Sequence, residues 1–113
     1  MSPSLLYEQW PPITVNELLR VMAGDPCAQV IDVREPQEFA CQYVPGSHNL
    51  PLSSLQDGKP SLDKQKPIYL LCFTGDRAVS AAHVLESQGF GNLRLVAGGL
   101  KAWQVMGYPL LRD

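Results

Sequence analysis

No stretch of this chain concentrates positive charge. Nine Lys and Arg stand against eleven Asp and Glu, a formal net charge of −2. The basic residues do not gather into the stripe that a nucleic-acid surface requires. No apolar run approaches the roughly 20 residues of a membrane-spanning helix, so no membrane contact is expected. The segment Met1 to Glu8 has no basic residue and no long apolar stretch, which makes it a poor secretory leader. Cysteine is scarce: Cys27, Cys41 and Cys72 are three, with no Cys-x-x-Cys pair. So few, unpaired thiols do not suit a disulfide framework, and the two histidines, His48 and His83, do not complete a zinc site. No metal and no cofactor are expected, and a reducing, cytoplasmic setting with a free thiol at Cys72 suits the composition.

What is present suffices for one packed core. An apolar share of 45% over 113 residues fits a globular domain that needs no covalent staple. No repeat, low-complexity tract or linker divides the chain. Residues 1–12 read as an extended arm, and residues 13–113 as a single domain.

Strand and helix patterns then alternate. Thr14-Val15-Asn16-Glu17 is a capping box, followed by an apolar face of Leu18, Leu19 and Met22 that Gly24 closes. Gln29 to Val33 is a β-branched run between turn residues, hence a buried strand. Pro36 suits the first position of a helix running to about Gln42, with Phe39 on its apolar side. Pro45-Gly46-Ser47 is a turn, His48 to Leu50 a short strand, and Pro51 to Gln56 a short helix. Ile68 to Leu71 is apolar throughout, as a central parallel strand covered on both faces must be. A helix with Ala78, Ala81, Ala82 and Leu85 on one side follows and stops at Gly89. Leu93 to Val96 is the last strand, and Gly98-Gly99 opens a final helix ended by Gly107. This alternation defines an α/β fold with a central parallel sheet of about five strands and helices on both faces. Ligands of such sheets bind outside the carboxyl ends of the strands. Asp32 and Cys72 both fall on that rim.

The segment Cys72-Phe73-Thr74-Gly75-Asp76-Arg77 carries the chemistry. Cys72 sits where a buried strand ends and a helix begins, the place where free backbone N–H groups and a positive helix dipole converge. A sulfur there is favoured as the anion, which is the reactive form. The N–H groups of residues 73 to 77, curled around it, would form an anion nest, with Gly75 supplying the permissive backbone. Arg77 is the segment's one cation, suited to an oxyanion or to loop carbonyls. Taken alone, Cys72 reads first as a small buried hydrophobe, the common fate of a free cysteine; its position between strand and helix, with the resemblance described next, favours the reactive reading.

Four segments in order resemble the rhodanese family of sulfurtransferases in its single-domain form. They are Asp32-Val33-Arg34-Glu35-Pro36-Gln37-Glu38-Phe39, Tyr43 to Pro51 around Pro45-Gly46, Cys72 to Arg77, and Val96-Ala97-Gly98-Gly99-Leu100-Lys101-Ala102-Trp103. The likeness extends from about Ile13 to Tyr108. It implies a sulfurtransferase that moves a sulfane sulfur from a donor such as thiosulfate to a thiol or cyanide acceptor, a protein thiol included, through a persulfide at Cys72. The family's commonest loops place a second arginine where this chain has Phe73, so the mouth has one charge fewer. Phosphatases of similar fold separate cysteine and arginine by five residues; here four intervene, a tighter cradle suited to a single sulfur. The same resemblance leaves a second class open, a catalytically weak module that binds a protein partner.

The remaining polar residues read as support. Asp32 and Arg34 are expected to bond to the loop backbone and to Glu38 or its neighbours. Asp76 is expected to cap the helix after the loop. Cys27 and Cys41 are read as small buried packing residues, His48 and His83 as bystanders, and Trp10, Trp103 and Tyr108 as packing.

Overall fold

The computed structural model describes residues 10–58 and 60–113. Most of the arm expected over residues 1–12 therefore lies outside the described residues. Trp10 does not: its ring is 4% exposed, meets His83 edge-on at 4.6 Å, and its indole N–H donates to Glu86 at 3.1 Å.

Five strands alternate with five helices. In chain order they are β1 (Pro12–Ile13), α1 (Val15–Gly24), β2 (Gln29–Asp32), α2 (Pro36–Cys41), β3 (His48–Asn49), α3 (Leu52–Leu55), β4 (Ile68–Leu71), α4 (Asp76–Ser87), β5 (Leu93–Val96) and α5 (Gly99–Val105). The sheet order is β1-β5-β4-β2-β3, and every pairing is parallel. The most apolar strand, β4, occupies the middle, between β2 and β5. Its four residues are all buried, the burial that a parallel strand with helices on both faces demands.

Local chemistry explains where the elements begin. Thr14 caps α1: its hydroxyl accepts from the Glu17 N–H at 3.1 Å, and the Glu17 carboxylate accepts from the Thr14 N–H at 3.1 Å. Gly24 is the last helical residue rather than the first beyond the helix, because extended Asp25 closes the end with its N–H on the Val21 carbonyl. Pro36 opens α2, where a missing N–H loses no helical bond.

The period of two along a strand divides the core into two layers. Ile68 and Leu70 of β4 join Ile31, Leu93 and Leu95 against the Ala78, Ala81, Ala82 and Leu85 face of α4. Tyr69 and Leu71 join Val30 and Val96 against Leu18 of α1 and Leu100 and Trp103 of α5. Cys72 shares the parity of Ile68 and Leu70 and belongs to the α4 layer. Sheet parity therefore aims its sulfur at the side where α4 starts. Among the described residues no helix is long and apolar enough to cross a membrane.

Leu70 is fully buried in the central strand. Leu70→Ala should lower the unfolding free energy by about 2–5 kcal/mol, the range for a leucine deleted from a packed core. Urea denaturation checks this, and a loss below about 1 kcal/mol would contradict the central position of β4.

Candidate active site

Cys72 follows directly on β4 and is 1% exposed. Three residues later Gly75 serves as the N-cap of α4 with φ +131°, a region open to glycine and strained for residues with a Cβ. That turn brings the Gly75 N–H to 3.0 Å from the Cys72 Sγ. The sulfur thus sits beside the N-cap of a 12-residue helix, at its positive end.

The expectation of a five-amide nest is corrected here. Among the described residues Gly75 supplies the one backbone N–H in hydrogen-bond geometry with the sulfur. The loop carbonyls are what the fold fixes most firmly. The Leu100 N–H donates to the Cys72 carbonyl at 2.8 Å and the Lys101 N–H to the Phe73 carbonyl at 3.0 Å. The first turn of α5 therefore holds the backbone at the root of the loop. Its approach depends on Gly99, at φ +58°, where a Cβ would stand 2.4 Å from the Cys72 carbonyl oxygen and 2.5 Å from that of Phe73. Phe73 itself is 39% exposed, an apolar group at the surface of the loop.

Asp76 does not cap α4. Gly75 takes the cap because the turn requires its positive φ, and Asp76 stands exposed in the first turn, where its charge still complements the dipole. Thr74, the remaining loop residue, is also exposed.

Arg77 turns away from the loop carbonyls. Its two terminal nitrogens grip Glu38 of α2, NH1 to Oε1 at 2.6 Å and NH2 to Oε2 at 3.1 Å. Glu38 Oε1 also accepts the Glu35 N–H at 3.2 Å, which completes a capping box at the start of α2. One carboxylate thereby joins the first turn of α2 to the first turn of α4. The Arg77 fork holds the Glu38 carboxyl below the usual carboxylate range. Glu38 in turn raises the Arg77 guanidinium above its ordinary value, with smaller contributions from the nearby charges of Cys72 and Asp32.

Asp32 and Arg34 form a separate unit. Asp32 is fully buried, and its carboxylate receives Arg34 Nε at 3.0 and 3.1 Å, Arg34 NH2 at 2.8 Å and the Arg34 N–H at 3.0 Å. Arg34 then reaches the Glu38 carbonyl at 3.3 Å and the Gln42 carbonyl at 2.7 Å. Its bond to Glu38 was expected; no bond joins either residue to the backbone of the Cys72 loop. The pair ties the chain after β2 to the middle and the C-terminal end of α2, and so supports the active loop only through Glu38. A buried pair of this kind is held by full satisfaction of its hydrogen bonds.

Cys27 and Cys41 are exposed rather than buried, because one lies in the turn before β2 and the other ends α2 on its outer face. Beside Arg77, Val33, Glu35, Leu52, Ser53 and Gln56 line a cavity of about 250 Å³. Among the described residues no group of three or more His, Cys, Asp or Glu is placed to hold a metal ion.

The site is thus a cysteine at the end of the central strand of a parallel α/β sheet, with the starts of α4 and α5 packed beside it. Residues 14–106 match the Rhodanese-like domain, and the chain belongs to the rhodanese family. It is 38% identical over 103 residues to the uncharacterized protein YqhL of Bacillus subtilis, covering 91% of this chain and 81% of that one. It is 37% identical over 82 residues to the thiosulfate sulfurtransferase GlpE of Pseudomonas syringae, covering 73% of this chain and 76% of the relative. Among solved structures, a rhodanese-related protein from Thermoplasma volcanium superposes with a TM-score of 0.78 at 29% identity, covering 90% of this chain and 98% of the other.

Glu38 was legible in the sequence as a neighbour of Asp32 and Arg34, but not as the partner of Arg77. Gly99 was legible only as part of the Gly98-Gly99 pair that opens the final helix.

Two outcomes follow from this geometry. Gly99→Ala should destabilise the fold by about 1–3 kcal/mol more than Gly107→Ala, since both glycines have positive φ but only Gly99 faces a carbonyl wall. Equal losses in urea denaturation would show that α5 does not brace the loop. The Glu38 carboxyl, lowered by Arg77, contributes stability above its unfolded value near ~4.3 and loses it as pH falls through the folded value. Both side chains are over a third exposed, so screening keeps the contribution within about 0–1 kcal/mol. Glu38→Gln should accordingly flatten the acid limb of the stability profile; an unchanged limb would contradict the pairing.

Proposed function

We propose that this protein is a sulfurtransferase in which Cys72 carries a sulfane sulfur as a persulfide. The observation that carries the reading is the Cys72 sulfur at the end of the central strand, 3.0 Å from the Gly75 N–H at the start of α4. A hydrogen bond and the positive end of the helix dipole at that point can stabilise negative charge that develops on the sulfur during transfer. The name of the relative GlpE, a thiosulfate sulfurtransferase, supports the reaction class.

The cycle balances without any cofactor. The Cys72 thiolate attacks the outer sulfur of thiosulfate; the new S–S bond forms as the old one breaks, and sulfite leaves with the electron pair. The outer sulfur of the resulting persulfide is then attacked by cyanide or a thiolate, small or on a protein, and the bonding pair returns to Cys72. A preorganised amide stabilises charge on the sulfur without rearrangement, an effect typically worth about 2.7–4 kcal/mol per donor. Phe73, Thr74, Gly75, Asp76 and Arg77 form the rim that a donor meets, while Asp32 and Arg34 hold α2 in place. A reducing cytoplasm would keep the thiol free and supply acceptor thiols.

One observation favours the rival reading, a catalytically weak module that binds a protein. Cys72 is 1% exposed while Phe73 beside it is 39% exposed. A single experiment separates the two. After incubation with thiosulfate, wild type should gain one sulfur atom by intact mass, cyanide should remove it as thiocyanate, and Cys72→Ser should gain none. No gain from thiosulfate or from a hydropersulfide, or an equal gain by Cys72→Ser, overturns the proposal.

A further inference from the structure

We propose that Glu38 is a specificity-determining residue of this site: it occupies the fork of Arg77 and so disfavours doubly charged donors, directing the site toward neutral or cationic sulfur compounds. The inference rests on the persulfide reading of Cys72 and names the substrate class that such a site accepts.

Arg77 is the one cation of the Cys72 to Arg77 loop. A guanidinium recognises an oxyanion best when both terminal nitrogens reach it in parallel. Here both are engaged by Glu38, at 2.6 and 3.1 Å. The carboxylate is itself anchored, since Oε1 also receives the Glu35 N–H at 3.2 Å and the Glu38 carbonyl receives Arg34 NH1 at 3.3 Å. Glu38 cannot follow Arg77 toward a ligand without breaking the start of α2. An incoming sulfonate must therefore compete with a carboxylate that is already seated.

The cleft beside Arg77 adds a second charge of the same sign. Glu35 lines it together with Ser53 and Gln56, with Val33 and Leu52 as its apolar part. The Glu35 carboxylate stands 3.4 Å from the Ser53 hydroxyl and has no ion-pair partner among the described residues. One side of the loop thus presents a neutralised arginine and a free carboxylate. A thiosulfate dianion is repelled by that combination, whereas an ammonium group on a thiol is attracted.

The test compares wild type, Glu38→Gln and Glu35→Gln. Glutamine at 38 keeps the size of the side chain and the acceptor for the Glu35 N–H while removing the charge. The first readout is the second-order rate of sulfur loading at Cys72 from thiosulfate, followed by intact mass. The second is discharge of protein loaded from a hydropersulfide, with cysteamine and 3-mercaptopropionate as acceptors. It is expressed as the ratio of the two rates, so that general damage to the site cancels. Glu38→Gln should load from thiosulfate about three- to tenfold faster and lower the cysteamine-to-mercaptopropionate ratio by a similar factor, the size expected of one partly screened charge. Glu35→Gln should lower the ratio with the Arg77 pair left intact. If both variants load and discharge with an unchanged ratio, Glu38 is structural and the inference fails while the persulfide reading stands. If wild type gains no sulfur from either donor, the reading beneath it fails and the inference with it.

Discussion

The contact on which the site depends is the seating of the first turn of α5 on the carbonyls that follow β4. Two backbone bonds, Leu100 to Cys72 at 2.8 Å and Lys101 to Phe73 at 3.0 Å, fix the root of the loop. They turn those carbonyls toward α5. A strand that ends in the middle of a parallel sheet must dispose of its last carbonyls somewhere, since an unpaired buried group is costly. In this chain a neighbouring helix start accepts the task, and the absence of a side chain at Gly99 allows the approach. With that root fixed, strand parity puts the Cys72 side chain in the α4 layer, within reach of the one amide that meets its sulfur.

Much of this was legible in the sequence. The capping box at Thr14, the proline at the start of α2 and the wholly apolar β4 are local signals whose physics acts within a few residues. They gave the element order, and the alternation of strand and helix gave the parallel sheet. Parity along β4 ties Cys72 to the side of the sheet on which α4 begins. These features do not depend on distant partners.

What the sequence concealed depends on such partners. Arg77 and Glu38 lie 39 positions apart, and no local pattern joins them. Arg34 was expected to serve the active loop but turns to Asp32 and to α2, because a buried guanidinium satisfies its donors at the nearest carboxylate and carbonyls. The cap of α4 falls on Gly75 rather than Asp76 since the loop needs a positive φ before the helix can start. Cys27 and Cys41, read as packing, stand exposed because the turn and helix end that carry them lie on the outside of the fold. Of the amides expected around Cys72, the Gly75 N–H is the one in hydrogen-bond geometry with the sulfur among the described residues, a contact set by the positive φ of Gly75.

Amide NMR of the uniformly ¹⁵N-labelled protein, before and after sulfur loading, tests the central claim most directly. If the Gly75 N–H holds the sulfur of Cys72, conversion to the persulfide should produce its largest amide shift at Gly75. Smaller shifts should follow at Thr74, Asp76 and Arg77, and β1 should stay still. A protein that gains sulfur by mass while the Gly75 amide remains unmoved would contradict the account.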